Sequence, residues 1–378
     1  MEPHGFCDDA FTPVRDAFLR NFEEDLEVGA AVAVTQDGKP VVDLWAGEAG
    51  PDGAPWREDT IINVFSTTKT MAAVCMLMLN DRGLLDFDAP VAAYWPEFAQ
   101  NGKDDVRVRH VMSHSAGLPG FDPPIGPEIL YDLDAVAQHL AAQPLWFEPG
   151  SASGYHAITQ GQLQGEILRR ITGVSLGEFF RREVAEPLGA DFHIGLEAKH
   201  DPRVAELIPP EIGPEALAPD PDSIAARTFA SYPLDATATR TRAWRAAEIP
   251  AAGGTGNARS IARVHSALAC GGSVDGVTLM SPETAERVLA VQTDGVDLVL
   301  GVAVKFGMGF ATWMEGFASS PSPRSFMWAG WGGSIAMTDL DARVSIAYVM
   351  NRMDSAATGD IRGSRIADAV YASITASV

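Results

Sequence analysis

TIINVFSTTKTMAAVCMLMLNDRG, running from Thr60 to Gly83, is the stretch on which the fold turns. A β-branched run, Ile61 to Val64 and then Phe65, feeds into Ser66-Thr67-Thr68-Lys69. Nine residues without a polar side chain follow, Met71 to Leu79. The pattern predicts a helix with Ser66 in its first turn and Gly83 as its left-handed stop. A helix apolar on nearly every side is a buried one. It is too short to cross a bilayer, which needs about 20 apolar residues. It therefore runs through the middle of a soluble protein.

Residues three apart on a helix share a face, so the Lys69 amine comes within reach of the Ser66 hydroxyl. A serine hydroxyl becomes a nucleophile when a neighbouring base takes its proton. Lysine is that base only when neutral, a state favoured by desolvation or by nearby positive charge, including a helix N-terminus. The chain has five lysines (Lys39, Lys69, Lys103, Lys199 and Lys305), and one of them stands where the apolar helix begins. The structural alternative is a capping serine beside a lysine that reaches solvent.

Composition bounds the rest. A length of 378 residues suggests two or three structural units and easily buries a large core. The net charge of −22 repels nucleic acid and anionic membranes, and it disfavours substrates with free carboxylates unless a local cation compensates. Neither a nucleic-acid nor a membrane partner is expected. Cys7, Cys75 and Cys270 form no disulfide framework and no zinc spacing. No basic segment followed by an apolar one opens the chain, so no secretory signal is visible and the expected location is the cytoplasm.

Outward from the central helix, Phe11, Val14, Phe18 and Phe22 give residues 10–26 helical spacing. Runs 28–35 and 40–47 flank Asp37-Gly38, a strong hairpin signal. Helical patterns cover 133–142 and 157–172, the latter ended by Gly173. Six prolines between 201 and 225 exclude regular structure, and a stretch that long is usually a lid, a mobile loop or a surface wrap. Gly253 to Gly256 opens a helix over 258–270. Strand patterns then occupy 298–306, 324–330, 334–338 and 343–350, before a closing amphipathic helix from Ile361. Strand-rich ends around a helical middle predict an α+β fold, an antiparallel sheet built from both termini with helices packed on it. The expected division is one domain of residues 1–85 and 253–378, with a mainly helical domain of residues 86–252 inserted. The central helix then sits where the two meet, a common place for a pocket.

Other chemistry is thinly signalled. His110 and His114 are four apart but no glutamate follows the first, so core and loop roles outweigh a metal. Glycine-rich nucleotide loops and the G-x-S-x-G elbow are both missing. No metal and no cofactor is expected.

Two further stretches bear on Ser66. Glu148-Pro149-Gly150 leads to Tyr155-His156-Ala157 at a helix start, and Trp328-Ala329-Gly330-Trp331-Gly332-Gly333-Ser334 opens a late strand. Paired glycines there mark a bulge or a close ligand approach. Ser66-x-x-Lys69, Tyr155 after a Pro-Gly loop, and the late Gly-Gly strand, in this order and spacing, resemble the serine β-lactamase and penicillin-binding protein superfamily. His114 to Leu118 and Gly253 to Arg263 are similar to further family segments. The likeness runs from about residue 10 to the end and is greatest to the family VIII carboxylesterases and their class C β-lactamase relatives.

The resemblance implies that Ser66 forms an acyl-enzyme and that Lys69 and the Tyr155 phenolate share the base role. The phenol, ordinarily near pKa 10, would need the lysine charge to lower it. The resemblance also implies that backbone N–H groups of Ser66 and Ser334 hold the oxyanion. Where the lactamases carry Lys-Thr-Gly, this chain has Trp331, Gly332 and Gly333, and an indole cannot pair with a carboxylate as an ammonium can. Where they carry an asparagine after the tyrosine, it has Ala157. Both departures favour small uncharged esters as the substrate partner. The alternatives are a β-lactamase, a D-amino-acid peptidase, an acyltransferase, or a catalytically silent binder using the same cleft.

Overall fold

The computed structural model describes residues 2–211, 220–315, 320–356 and 359–376. In chain order the strands are β1 (His4–Cys7), β2 (Gly29–Gln36), β3 (Lys39–Gly47), β4 (Ile62–Asn63), β5 (Phe192–His193), β6 (Thr255–Gly256), β7 (Ser273–Val274) and β8 (Val277–Thr278). They continue with β9 (Thr293–Val296), β10 (Ala303–Phe306), β11 (Ala311–Thr312), β12 (Ser325–Ala329), β13 (Ile335–Asp339) and β14 (Val344–Met350). Nine of these form one sheet in the order β1-β3-β2-β14-β13-β12-β11-β10-β9, and every neighbouring pair is antiparallel. The two ends of the chain meet where β2 pairs with β14. The fold is the α+β arrangement the strand-rich termini predict.

Local chemistry accounts for the sheet's centre. Asp37 and Gly38 both take positive φ (50° and 77°), the two-residue turn whose twist suits a hairpin, so Gln36 faces Lys39. All seven residues of β14 are buried, because helices cover both faces of the sheet there. The helix Ala258–Ala269 packs on β2, β13 and β14, its His265 reaching Thr338 Oγ1 at 2.8 Å. The helix Ile361–Ala376 lies on the opposite side, with Gly363 close to Ile335 and Arg365 bonded to Asn21 of the helix α1 (Thr12–Glu23). Residues 335 and 338 point to opposite faces by strand alternation.

The helix α2 (Thr68–Asp81) buries every residue from Thr68 to Leu79 and stops before Gly83, whose φ is 68°. Helices and single turns dominate between β4 and β6, together with β5. Among the described residues no helix is long and apolar enough to cross a membrane.

Three expectations shift. The apolar run 298–306 is a strand only from Ala303; before it, the Asp297 carboxyl accepts the N–H groups of Val299 and Leu300 at 2.9 Å and bends the chain into a turn. The partner strand β9 lies just upstream, in a segment with no apolar alternation. Thr255-Gly256 is a strand rather than a helix start, pairing with both β4 and β5. Of the proline-rich stretch 201–225, residues 212–219 lie outside the described residues. Its described part holds the end of a 3-10 turn at Arg203, bridges at Val204 and Ile208, and, against the expectation of no regular structure, the start of the helix Ile224–Ser231 capped by Ser223.

Candidate active site

β4 ends at Asn63, and the chain turns into α2 through a short 3-10 segment, Phe65–Thr67. Phe65 holds φ at 40°, a conformation that costs a non-glycine residue on the order of 1–3 kcal/mol and persists only when its surroundings impose it. Its surroundings do. The Phe65 N–H donates to Asn63 Oδ1 at 3.2 Å, and its ring packs 5.0 Å from that of Trp331 and 6.2 Å from that of Trp244. The strained turn presents Ser66. The two residues between Ser66 and Lys69 hold the turn in place: Thr67 Oγ1 lies 2.9 Å from Ser334 Oγ, and Thr68 Oγ1 accepts the Gly254 N–H at 2.9 Å.

Lys69 Nζ lies 3.0 Å from Ser66 Oγ, 2.7 Å from the Ala157 carbonyl and 2.9 Å from the Ala251 carbonyl. The amine is 1% exposed and no carboxylate pairs with it among the described residues. Burial pushes its pKa well below 10.5. A neutral amine has two N–H groups and one lone pair. Two carbonyls take the former, and the lone pair is left for Ser66.

Tyr155 comes from the loop before the helix Thr159–Thr172, and its hydroxyl lies 2.6 Å from Ser66 Oγ. Trp328 Nε1, on β12, donates to the same phenol oxygen at 3.3 Å. The Tyr155 ring rests on that of His114 at 4.8 Å. Burial keeps His114 well below the usual imidazole range and takes His156 to about 3, so both are neutral. His114 Nδ1 accepts the His156 N–H at 3.0 Å. Among the described residues no His, Cys, Asp and Glu cluster is arranged to hold a metal, and His110 Nδ1 instead accepts the Arg107 N–H.

One expectation reverses here. The resemblance called for a Tyr155 phenol lowered by a lysine charge, whereas burial pushes it above its ordinary value. An amine kept neutral offers no charge with which to lower it.

Of the other residues singled out in the sequence, Ser334 lies beside the Ser66 turn, its hydroxyl donating to the Val64 carbonyl at 2.9 Å. Neither the Ser66 nor the Ser334 N–H is taken up by a carbonyl among the described residues. Trp331 is 7% exposed against Phe65, with its Nε1 unpartnered among the described residues. Gly332 and Gly333 have φ of 99° and 124°, and a Cβ on Gly333 would collide with Asp360 and Arg362. These side chains, rather than a ligand, make the close approach at Gly333. Ala157 contributes its carbonyl to Lys69, and its methyl packs in a cluster with Tyr155, Leu300 and Trp328. Pattern reading missed Ala251 and Trp328. The first acts through its backbone and leaves no side-chain signal; the second reads as an ordinary strand aromatic.

Comparison with known proteins fits this geometry. Residues 18–371 match the model of the family described as Beta-lactamase. The esterase/beta-lactamase LipL of Mycobacterium tuberculosis (strain ATCC 25618 / H37Rv) is 37% identical over 364 residues, 92% of this chain and 83% of that protein. The crystal structure of a family VIII carboxylesterase is 43% identical, with a TM-score of 0.92, covering 99% of this chain and 100% of the other. A penicillin-binding protein homologue from Caulobacter crescentus is 40% identical, with a TM-score of 0.91 and the same coverage.

Proposed function

Because the chain belongs to the Beta-lactamase family, we propose that it is a carboxylesterase that cleaves small uncharged esters through an acyl-enzyme on Ser66. The relatives named an esterase/beta-lactamase and a family VIII carboxylesterase support ester hydrolysis. The observation that carries the reading is the placement of Lys69 Nζ and Tyr155 Oη at 3.0 and 2.6 Å from one hydroxyl, with the amine buried and no carboxylate paired with it among the described residues.

In this reading Ser66 Oγ attacks the ester carbonyl carbon as its proton passes to the lone pair of Lys69. The carbonyl electron pair moves onto oxygen, where the N–H groups of Ser66 and Ser334 receive it. Collapse of the tetrahedral species expels the alkoxide, which takes the Tyr155 proton. The ammonium just formed on Lys69 stabilises the phenolate left behind. Water then attacks the acyl group, its proton returning through the same pair, and carboxylic acid and free enzyme result. A neutral amine and a neutral phenol at rest suit this order better than a resting phenolate.

Trp331 and Ala157 support the uncharged substrate. Position 331 carries an indole rather than a cationic side chain, and the wall around Ala157 is built of Val299, Leu300 and Trp328. The test is a series of p-nitrophenyl esters of increasing acyl length, run beside nitrocefin. Short esters should turn over faster than nitrocefin, and Ser66→Ala should lose the activity. Ester turnover retained in Ser66→Ala overturns the assignment, and nitrocefin turnover rivalling the esters moves it to a β-lactamase.

A further inference from the structure

The mechanism leaves one buried acid unused. Asp297 is fully buried in the turn between β9 and β10. Its Oδ1 accepts three backbone N–H groups: Val299 and Leu300 at 2.9 Å within its own turn, and Tyr155 at 3.0 Å across 142 residues of chain. A second bond parallels the third, with the Leu298 N–H donating to the Ser153 carbonyl at 2.9 Å. Oδ2 is buried without a hydrogen-bond partner among the described residues, and no cation pairs with the carboxyl group. A buried polar atom left unsatisfied costs on the order of 1–3 kcal/mol and calls for an explanation. The local turn does not supply one, since a serine or asparagine serves the same purpose in most turns.

We propose that Asp297 is a positioning residue for Tyr155, clamping the tyrosine backbone so that the phenol stays in hydrogen-bonding reach of Ser66 Oγ. The inference rests on the acyl-enzyme reading above. His114 ties the backbone on both sides of Tyr155, its carbonyl accepting the Gly154 N–H at 2.9 Å and its Nδ1 the His156 N–H at 3.0 Å, but neither bond reaches the Tyr155 N–H itself. Below the Tyr155 ring lies that of His114, and beside it Trp328 donates to the phenol oxygen. The clamp on the backbone N–H is the Asp297 oxygen alone. A carboxylate serves better than an amide because hydrogen bonds to an ionised acceptor are shorter and about twice as strong. Misplacement of a reacting group by about 1 Å costs on the order of 100-fold in rate.

The test compares Asp297→Ala and Asp297→Asn with the wild-type protein. Turnover of p-nitrophenyl acetate is expressed per active site, with sites counted from the p-nitrophenol burst, so that misfolded molecules do not enter. In Asp297→Ala, kcat per site should fall at least 10-fold with KM changed less than threefold, while Asp297→Asn, which keeps the acceptor but not its charge, should be intermediate. Should the alanine variant fail to fold, a several-fold loss of per-site kcat in Asp297→Asn carries the same expectation. Per-site kcat unchanged in either folded variant, or a loss confined to KM, overturns the inference. Turnover without a burst means only that acylation is slower than deacylation, and sites are then counted by fluorophosphonate labelling. A wild-type protein that does not turn over the ester overturns the esterase reading instead. The inference is then decided by the crystal structure of Asp297→Asn or Asp297→Ala: a Tyr155–Ser66 separation opened beyond 2.6 Å upholds it, and an unchanged one sinks it.

Discussion

Among the cations buried in the described residues, Lys69 and Arg362 have surroundings that differ in one respect. Lys69 is 1% exposed and meets two carbonyls and a hydroxyl. Arg362 is 3% exposed and meets two acids, with Glu27 at 3.0 Å and Asp360 at 2.5 Å, and its guanidinium also donates to the Gly332 carbonyl at 2.7 Å. Burial disfavours charge in both places. Unopposed, it leaves the lysine neutral and basic. Opposed by acids, it leaves the arginine charged, its pKa raised above an already high value. The difference teaches that desolvation alone does not mark a structural cation; the partner set decides between a base and a clamp.

The largest effect comes from breaking the first half of this contrast. Lys69→Arg puts a group that cannot lose its proton where a neutral base is required. Esterase kcat should fall on the order of 10⁴-fold or more, as when a member of a catalytic set is lost. Steady-state kinetics on p-nitrophenyl acetate measure it, and a loss below tenfold would show that Lys69 is not the base.

The second half breaks through Arg362→Met. Asp360 then sits buried without its cation, and among the described residues Glu27 keeps only the Tyr348 hydroxyl. Removing one partner of a buried ion pair costs about 3–5 kcal/mol. Urea denaturation should show a loss of that order, and the Gly332-Gly333 turn before Ser334 should loosen with it. An unchanged midpoint would mean that the cluster contributes nothing.

Glu27 sharpens the comparison by pH. Burial raises its carboxyl to about 8, with the charge of Asp360 adding to the rise and Arg362 and Tyr348 opposing it. The folded state therefore holds this proton more tightly than the unfolded chain. Stability from Glu27 is full below the ordinary carboxylate range and is lost as pH rises through about 8. Glu27→Gln removes the titration, so the variant should gain on the wild type in urea midpoint between about pH 5 and 9. A constant difference across that range would refute the assignment. The smallest effect is expected from Trp328→Phe. It removes one long hydrogen bond to the Tyr155 oxygen, and kcat should fall severalfold, the worth of about 1 kcal/mol. No change in kcat would leave Trp328 a packing residue.

How legible these sites are in sequence follows from how local their causes are. Ser66 and Lys69 are a turn apart beside an apolar run, so periodicity alone brings them together. Tyr155 shows itself through the family pattern, because nothing within its own segment demands a phenol. Asp297 stands just before the apolar run 298–306 that reads as strand; three N–H groups on one oxygen override strand propensity, and one of them belongs to a distant segment. Gly332 and Gly333 announce a close approach without saying by what, and Arg362 and Asp360 are the answer only once the closing helix docks. The direction of the Tyr155 shift is likewise a property of the assembled interior. The sheet itself, by contrast, rests on the Asp37-Gly38 turn and on long buried strands, and these are visible in one dimension.

The contrast turns on the protonation of a single amine, and that can be observed directly. With five lysines in the chain, a sample carrying ¹³C at the lysine ε position gives few NMR signals to titrate. Lys103, buried and pushed down to about 8 by desolvation, is an internal reference, and Lys69→Met and Lys103→Met assign the two resonances. The Lys69 signal should titrate well below 10.5 and remain that of a free amine through the pH range of activity. A Lys69 signal that titrates at the ordinary lysine value would contradict the account.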